Sequence, residues 1–302
     1  MKTVTKTICL LTLLCTGQLS ASAGTRENIA PMGENIGPKE VKTVLKELDA
    51  TIAERDNYPK KKEWRVTNLH YEMKRAHNAS DSLKIYDRLF EEYKYYQFDS
   101  AWCYARKMEK LAIRSADREG MAQARAGLLF CYKSVGFFNE ANEIIRDFRT
   151  EDLPPEMLVN YYLLCAETYL NQSSYVWGIS ELTHKYDSLK RHYYQMAYQA
   201  SPEGSFAHEL AGLEIELFEH PTDSLSIEAR KRLINRHDIS EHEEAVQYSI
   251  LAAAYSCRGY TNEAIYYRAL SAISDIKSCT RETTSAKVLA EYMYDAGDIS
   301  RA

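Results

Sequence analysis

Apolar residues along most of this chain fall three and four positions apart, the spacing that puts them on one side of a helix. Val41, Val44, Leu45, Leu48 and Ile52 predict a first helix. Trp64 to Arg75 predict a second, set apart by Tyr58-Pro59, because a residue before proline disfavours helical backbone. Beyond them the pattern repeats. Ala101, Ala141, Leu189, Leu225, Ala264 and Ala302 follow one another at 40, 48, 36, 39 and 38 residues, the period of arrays built from stacked helix pairs. Gly136, Gly259 and Gly297 each stand five residues before such an alanine, where glycine can adopt the left-handed backbone that ends a helix. Each of these alanines then begins the second helix of its pair. In other units Asp99-Ser100-Ala101, Asp187-Ser188-Leu189 and Asp223-Ser224-Leu225 occupy the turn, predicting that an Asp or Ser oxygen caps the next helix.

Leu251-Ala252-x-x-Tyr255-x-x-x-Gly259-x-x-x-x-Ala264 and Leu128-Leu129-x-x-Tyr132-x-x-x-Gly136-x-x-x-x-Ala141 alternate small and large residues in the manner of tetratricopeptide repeats. Pro154-Pro155 falls where that family often stops its second helix. The resemblance implies an all-α, right-handed solenoid of antiparallel helix pairs. Few glycines and prolines (12 and 7), with no long alternating β-branched run, agree with a chain lacking sheets. The expected organisation is a targeting segment at 1–23, a flexible leader at 24–38, an N-terminal helical cap at 39–78 over the first repeat, and repeats at 79–302. The last repeat reads as incomplete, since Ala302 opens a second helix. Ala286, Leu289, Ala290 and Met293 are then expected to lack a cover, which implies fraying, self-association through the uncapped C-terminal helix, another partner, or a truncated product of a longer gene.

Lys2 and Lys6, the apolar Ile8 to Leu14, and Ala21-Ser22-Ala23 follow the order of a secretory signal, too short to span a bilayer. Export, to the periplasm, is expected. Leu14 before Cys15 departs from the small residue that lipoprotein signals carry there, which disfavours a lipid anchor through Cys15. Removing residues 1–23 takes two lysines and no acid, so the formal charge moves from −5 to −7. A nucleic-acid partner is disfavoured, since the one dense basic run is Lys60-Lys61-Lys62 with Arg65 nearby, which also reads as a solvated helix start.

Catalytic signatures are missing from the chain: no GxSxG, GxxxxGK[ST] or GxGxxG occurs. His242-Glu243-Glu244-Ala245-Val246 starts like a zinc-protease helix but carries Val246 where the second ligand belongs, and His237 lies five residues from His242, on a different face. The reading is a non-enzymatic chain with no cofactor and no metal. Cys103, Cys131, Cys165, Cys257 and Cys279 form no CxxC pair. The first four read as small hydrophobes inside helices, with disulfides such as Cys103 to Cys131 or Cys131 to Cys165 as the alternative.

Tyrosine supplies 23 of the 34 aromatic residues, much of it as the doublets Tyr95-Tyr96, Tyr161-Tyr162, Tyr193-Tyr194 and Tyr266-Tyr267. Helical neighbours point about 100° apart, so one ring of a doublet can pack while the other reaches a groove. Either the rings pack between helices or they line a concave groove for a peptide or glycan. The repeat phase assigns to that groove Glu91, Lys94 and Tyr95; Gln123, Phe130 and Lys133; Asn160 and Glu167; Ser249 and Ser256; and Lys287 and Glu291. Their mixed chemistry fits protein or peptide recognition. The Asp-Ser-Ala/Leu triplets, with Asp81-Ser82-Leu83, also resemble an O-glycosylation acceptor of some bacterial exported proteins, and Asn78-Ala79-Ser80 and Asn171-Gln172-Ser173 fit the N-glycan pattern.

Leu48-Asp49-x-x-Ile52-x-x-Arg55-Asp56-x-Tyr58, the stretch from Tyr86 to Ala101, and Ala296-Gly297-Asp298-Ile299-Ser300-Arg301-Ala302 resemble exported repeat proteins of Bacteroides-like bacteria. In the longer members a membrane helix, a coiled coil and a cytoplasmic DNA-binding output follow the repeats. The resemblance implies a protein-binding scaffold, the sensory part of a signalling or transcription regulator. The alternatives are a glycan-binding accessory or enzyme that uses a tyrosine-rich groove, and a remnant of a longer regulator.

Overall fold

The computed structural model describes residues 36–151, 153–219, 223–281 and 284–298. The targeting segment, most of the leader, and the final Ile299 to Ala302 lie outside the described residues. Every regular element among them is a helix. The chain divides into two compact units, one made of residues 56–215 and the other of the segments before 56 and after 215.

The 56–215 unit holds α2 (Asn57–Met73), α3 (Ala79–Tyr93), α4 (Phe98–Ser115), α5 (Arg118–Val135), α6 (Phe138–Asp147), α7 (Pro155–Tyr175), α8 (Ser180–Ala200) and most of α9 (Phe206–Glu219). Helices adjacent in sequence pack as pairs, and the first helices α3, α5 and α7 also touch in succession, as stacked hairpins do. Ala101 and Ala141 stand fully buried in the first turns of α4 and α6, where a side chain beyond Cβ would push the helices apart. Gly120, Ala124 and Gly127 make one edge of α5 small. A Cβ added at Gly127 would sit 3.4 Å from the Phe90 ring and from Ala105 Cβ, so α3 and α4 both close onto this edge. Gly136 has φ 77° with nothing within 4 Å of an added Cβ, so this position needs glycine for its backbone conformation and not for space.

Three features of the sequence reading change here. α2 begins at Asn57, so Pro59 falls in its first turn, where a missing N–H removes no intrahelical bond. α8 begins at Ser180, which places Asp187-Ser188-Leu189 in mid-helix; Asp187 accepts from Ser173 Oγ at 2.9 Å and pairs with Lys190 at 3.2 Å. The long 48-residue spacing before Leu189 reflects this 21-residue helix and the equally long α7. Side-chain caps come instead from Asn78, Asp117 and Ser240, each accepting an amide three residues on, while Asp99 lies inside the first turn of α4.

α2 covers α3, and the basic run anchors it. Arg65 grips Glu92 with Nε at 2.6 Å and Nη2 at 3.0 Å, and Lys62 reaches the Glu92 carboxylate at 3.3 Å and its carbonyl at 2.9 Å. Burial alone would raise the Glu92 pKa, but the hydrogen bonds and charges of Arg65 and Lys62 outweigh it and hold the carboxyl below its ordinary value. Lys62 and Arg65 are thus structural cations.

The other unit holds α1 (Pro38–Ala53), α10 (Asp223–Ile234), α11 (Glu241–Cys257), α12 (Thr261–Ser278) and α13 (Thr284–Asp295). α11 and α12 form the best-matching hairpin, joined through Gly259 at φ 80°, and Ala264 is buried at the start of α12. α1 packs against α12. Val44, Leu45 and Leu48 share one buried cluster with Ile265, Ala269, Ala272, Ile273, Leu289 and Met293. The sequence reading placed α1 over the first repeat and left Leu289 and Met293 bare. Instead, α1 covers the last described hairpin, and these two residues retain only 5% and 4% exposure. Hydrophobic periodicity states that a face must be buried; it does not name the face that buries it. An apolar groove of about 540 Å³ remains between α1 and α13, floored by Ala272 and Ile276 and open at Ala286 and Ile52.

Candidate functional site

Three successive first helices of the 56–215 unit set six of the sequence-predicted groove residues in one continuous strip. On α3 and just beyond its end, Lys94 Nζ lies 2.7 Å from Glu91, 5.2 Å from the centre of the Tyr95 ring and 5.9 Å from that of Phe130. Phe130, on α5, meets Tyr95 edge to face at 5.3 Å and Phe90 at 5.9 Å. One turn on, Lys133 Nζ stands 5.2 Å from the same Phe130 ring and 2.5 Å from Glu167 on α7. The order across the helices is carboxylate, ammonium, ring, ammonium, carboxylate.

The repeat phase explains why these side chains meet. Residues at one position of consecutive stacked first helices share a face, and the small edge of α5 brings α3 close enough for Lys94 to reach Phe130. Ammonium groups over ring faces gain roughly 0.5–2 kcal/mol each, more where water is excluded. Phe130 is itself buried, so the lysine stems and ammoniums form the surface above it. Gln123 and Asn160 lie two turns before Phe130 and Glu167 on their helices, extending the same face.

Asp87, which sequence reasoning did not select, belongs to the strip. It sits one turn before Glu91 on α3, and neither a hydrogen bond nor a salt bridge reaches it among the described residues. Burial pushes its pKa up to about 6, the neighbouring Glu91 adds to the rise, and Lys94 offsets part of it. The signal available in the sequence was its i, i+4 relation to Glu91.

The remaining predicted positions fall in the other unit. Ser249 is half-buried, and its hydroxyl accepts from Arg268 Nη1 at 2.5 Å and its carbonyl from Nη2 at 3.2 Å, so it is engaged by a buried guanidinium. Ser256 on α11 and Lys287 and Glu291 on α13 are half-buried.

Most tyrosines pack. Tyr96, Tyr194 and Tyr267 are the buried members of their doublets, with Tyr95, Tyr193 and Tyr266 partly exposed, while Tyr161 and Tyr162 are both buried. Tyr161 stacks on Phe148 at 3.7 Å and donates to the Ile145 carbonyl at 3.1 Å. Burial raises the pKa of the Tyr161, Tyr169 and Tyr193 hydroxyls, and Cys165 adds to the rise in all three.

Candidate chemistry elsewhere is sparse. His242 Nδ1 lies 3.3 Å from Thr280 Oγ1, and no group of three or more His, Cys, Asp or Glu side chains among the described residues is placed to hold a metal. No disulfide joins any of the five described cysteines. Cys103 and Cys257 are exposed, contrary to the apolar surroundings expected of them, because they fall on the outer sides of α4 and α11. Burial pushes the Cys131 thiol up to about 12 and Cys165 higher still, the wrong direction for a thiolate nucleophile. No helix among the described residues is long and apolar enough to cross a membrane.

A family model described as the SusR N-terminal TPR domain matches residues 52–302. The match starts at the end of α1 and takes in every later helix. No curated protein and no solved structure matches the chain. Tetratricopeptide domains are generally scaffolds for protein interaction and generally not enzymes. The glycine-ended first helices, the buried alanines opening the second, and a match over most of the length agree: this chain belongs to the SusR N-terminal TPR domain family.

Proposed function

We propose that this is an exported, non-enzymatic scaffold whose strip on α3, α5 and α7 binds an extended protein or peptide segment, as the sensory part of a signalling regulator. The observation that carries the reading is the strip itself. Lys94 and Lys133 converge on one aromatic ring from two helices, and carboxylates on α3 and α7 flank them, so several helices present ordered polar groups along one line. An extended chain offers polar groups all along its length, whereas the two rings of the strip, Tyr95 and Phe130, pack edge to face on one another instead of standing open for a sugar. The N-terminal sequence supports export, and the family model supports the link to a regulator.

Selection of a degenerate soluble peptide library on the immobilised chain tests this. Enriched peptides should lose at least about tenfold in affinity on the Glu91→Ala, Glu167→Ala double variant. Retention of a soluble polysaccharide, with no peptide enriched, would replace the reading by the glycan-binding one.

A further inference from the structure

We propose that the strip takes a cationic side chain, Lys or Arg, of the bound segment, with Asp87, Glu91 and Glu167 as its acceptors. This rests on the peptide-binding reading above and names the chemistry of its ligand.

The arrangement of charge decides the sign. In each ion pair the lysine is the inner member: the side chain of Lys94 is 24% exposed against 50% for Glu91, and that of Lys133 is 13% exposed against 46% for Glu167. A group arriving from solvent therefore meets carboxylates first. Both ammoniums are already engaged, each by a carboxylate and by the Phe130 ring. An anionic ligand would have to displace Glu91 or Glu167 and then lie beside the displaced charge. A cationic ligand requires no such exchange, because carboxylate oxygens accept several hydrogen bonds at once.

Asp87 supports the same sign from inside the strip. Next to Glu91 and Lys94 it makes two carboxylates for one ammonium on α3, with no hydrogen bond or salt bridge of its own among the described residues. Across the strip three acids face two lysines. A ligand guanidinium or ammonium would supply the missing charge, and its hydrocarbon stem would lie along the partly exposed Tyr95.

The test uses four soluble octapeptide libraries, each uncharged except for a fixed central Lys, Arg, Glu or Leu, bound to the purified chain. The Lys and Arg libraries should be retained about tenfold better than the Leu and Glu libraries. That excess should fall below about threefold in the Asp87→Asn, Glu91→Gln variant, with helicity by circular dichroism unchanged. Equal retention of all four overturns the cationic assignment while leaving peptide binding intact, and so does preference for Glu. A Lys and Arg preference that survives the variant places the cation elsewhere and also overturns it. Retention of none of the libraries overturns the peptide-binding reading together with this one.

Discussion

Arg268 and Ser249 form a closed polar contact in the interior of the α11–α12 hairpin: the guanidinium takes both the hydroxyl and the carbonyl of the same serine, at 2.5 and 3.2 Å. Arg268 is 1% exposed, its Nε has no hydrogen-bond partner among the described residues, and the Tyr292 ring lies 5.8 Å away. Removing the hydroxyl leaves a buried charged donor with one acceptor fewer, which costs on the order of 1–3 kcal/mol. Ser249→Ala should therefore lower the urea midpoint of the chain. Arg268→Met, which removes charge and demand together, should cost less than Ser249→Ala or even stabilise. A larger loss in Arg268→Met than in Ser249→Ala would show that the contact itself contributes net stability.

Asp87 gives the fold a pH signature. Its folded pKa, about 6, lies above the ordinary 3.8, so the ionised form is the one that the fold disfavours. The penalty is fully present above pH 6, declines as pH falls toward 3.8, and is gone below it. Asp87→Asn should raise stability at pH 7.5 by roughly 1–3 kcal/mol, and the gain should vanish near pH 3.5. Thermal melts of both proteins across that range measure it, and a gain independent of pH would refute the assignment.

Glu92 behaves in the opposite sense. Its carboxyl is held below the ordinary 4.5 by Arg65 and Lys62, so its contribution is present above that value and is lost as pH falls through the depressed one. Glu92→Gln should destabilise at pH 7 by on the order of 1 kcal/mol, since it strips a carboxylate from the largely buried Lys62 while the exposed Arg65 regains water. Faster amide exchange in α2 than in α3 should accompany the loss.

Two helix-ending turns place different residues in the left-handed conformation. Gly136 has φ 77° and Ala116 has φ 52°. Gly136→Ala should destabilise and Ala116→Gly should stabilise, each by about 1 kcal/mol, because an L side chain resists that region and glycine does not. Chemical denaturation of the two single variants measures both signs.

Leu45 is buried in the cluster that includes Leu289 and Met293. Leu45→Ala should destabilise by about 2–5 kcal/mol. Hydrogen exchange over residues 284–298 should accelerate with it, whereas the parent chain should protect the inner turns of α13.

The helix-ending role of Gly136, Gly259 and Gly297 was legible because a glycine at a regular place in the period has few other reasons to be there, and all three have positive φ. The strip from Glu91 to Glu167 was legible for the same reason: a true period puts equivalent residues on one face. Ser249 obeys that phase but is engaged by Arg268, 19 residues on, a partner that the period does not reveal. Leu189 was misplaced because α7 and α8 are longer than their neighbours, and a period cannot reveal a unit that departs from it. Asp87 went unselected because its interest lies in the hydrogen bonds that it does not make.

The pairing of α1 with α12 orders events during synthesis. Leu45 must wait for Ile265, 220 residues later, before its cluster can close, while the 56–215 unit has its helices before then. The nascent chain therefore carries an amphipathic helix with an unburied apolar face through most of its translation. Until that long-range contact closes, Val44, Leu45 and Leu48 are the residues by which a chaperone would hold the chain or an aggregate would capture it.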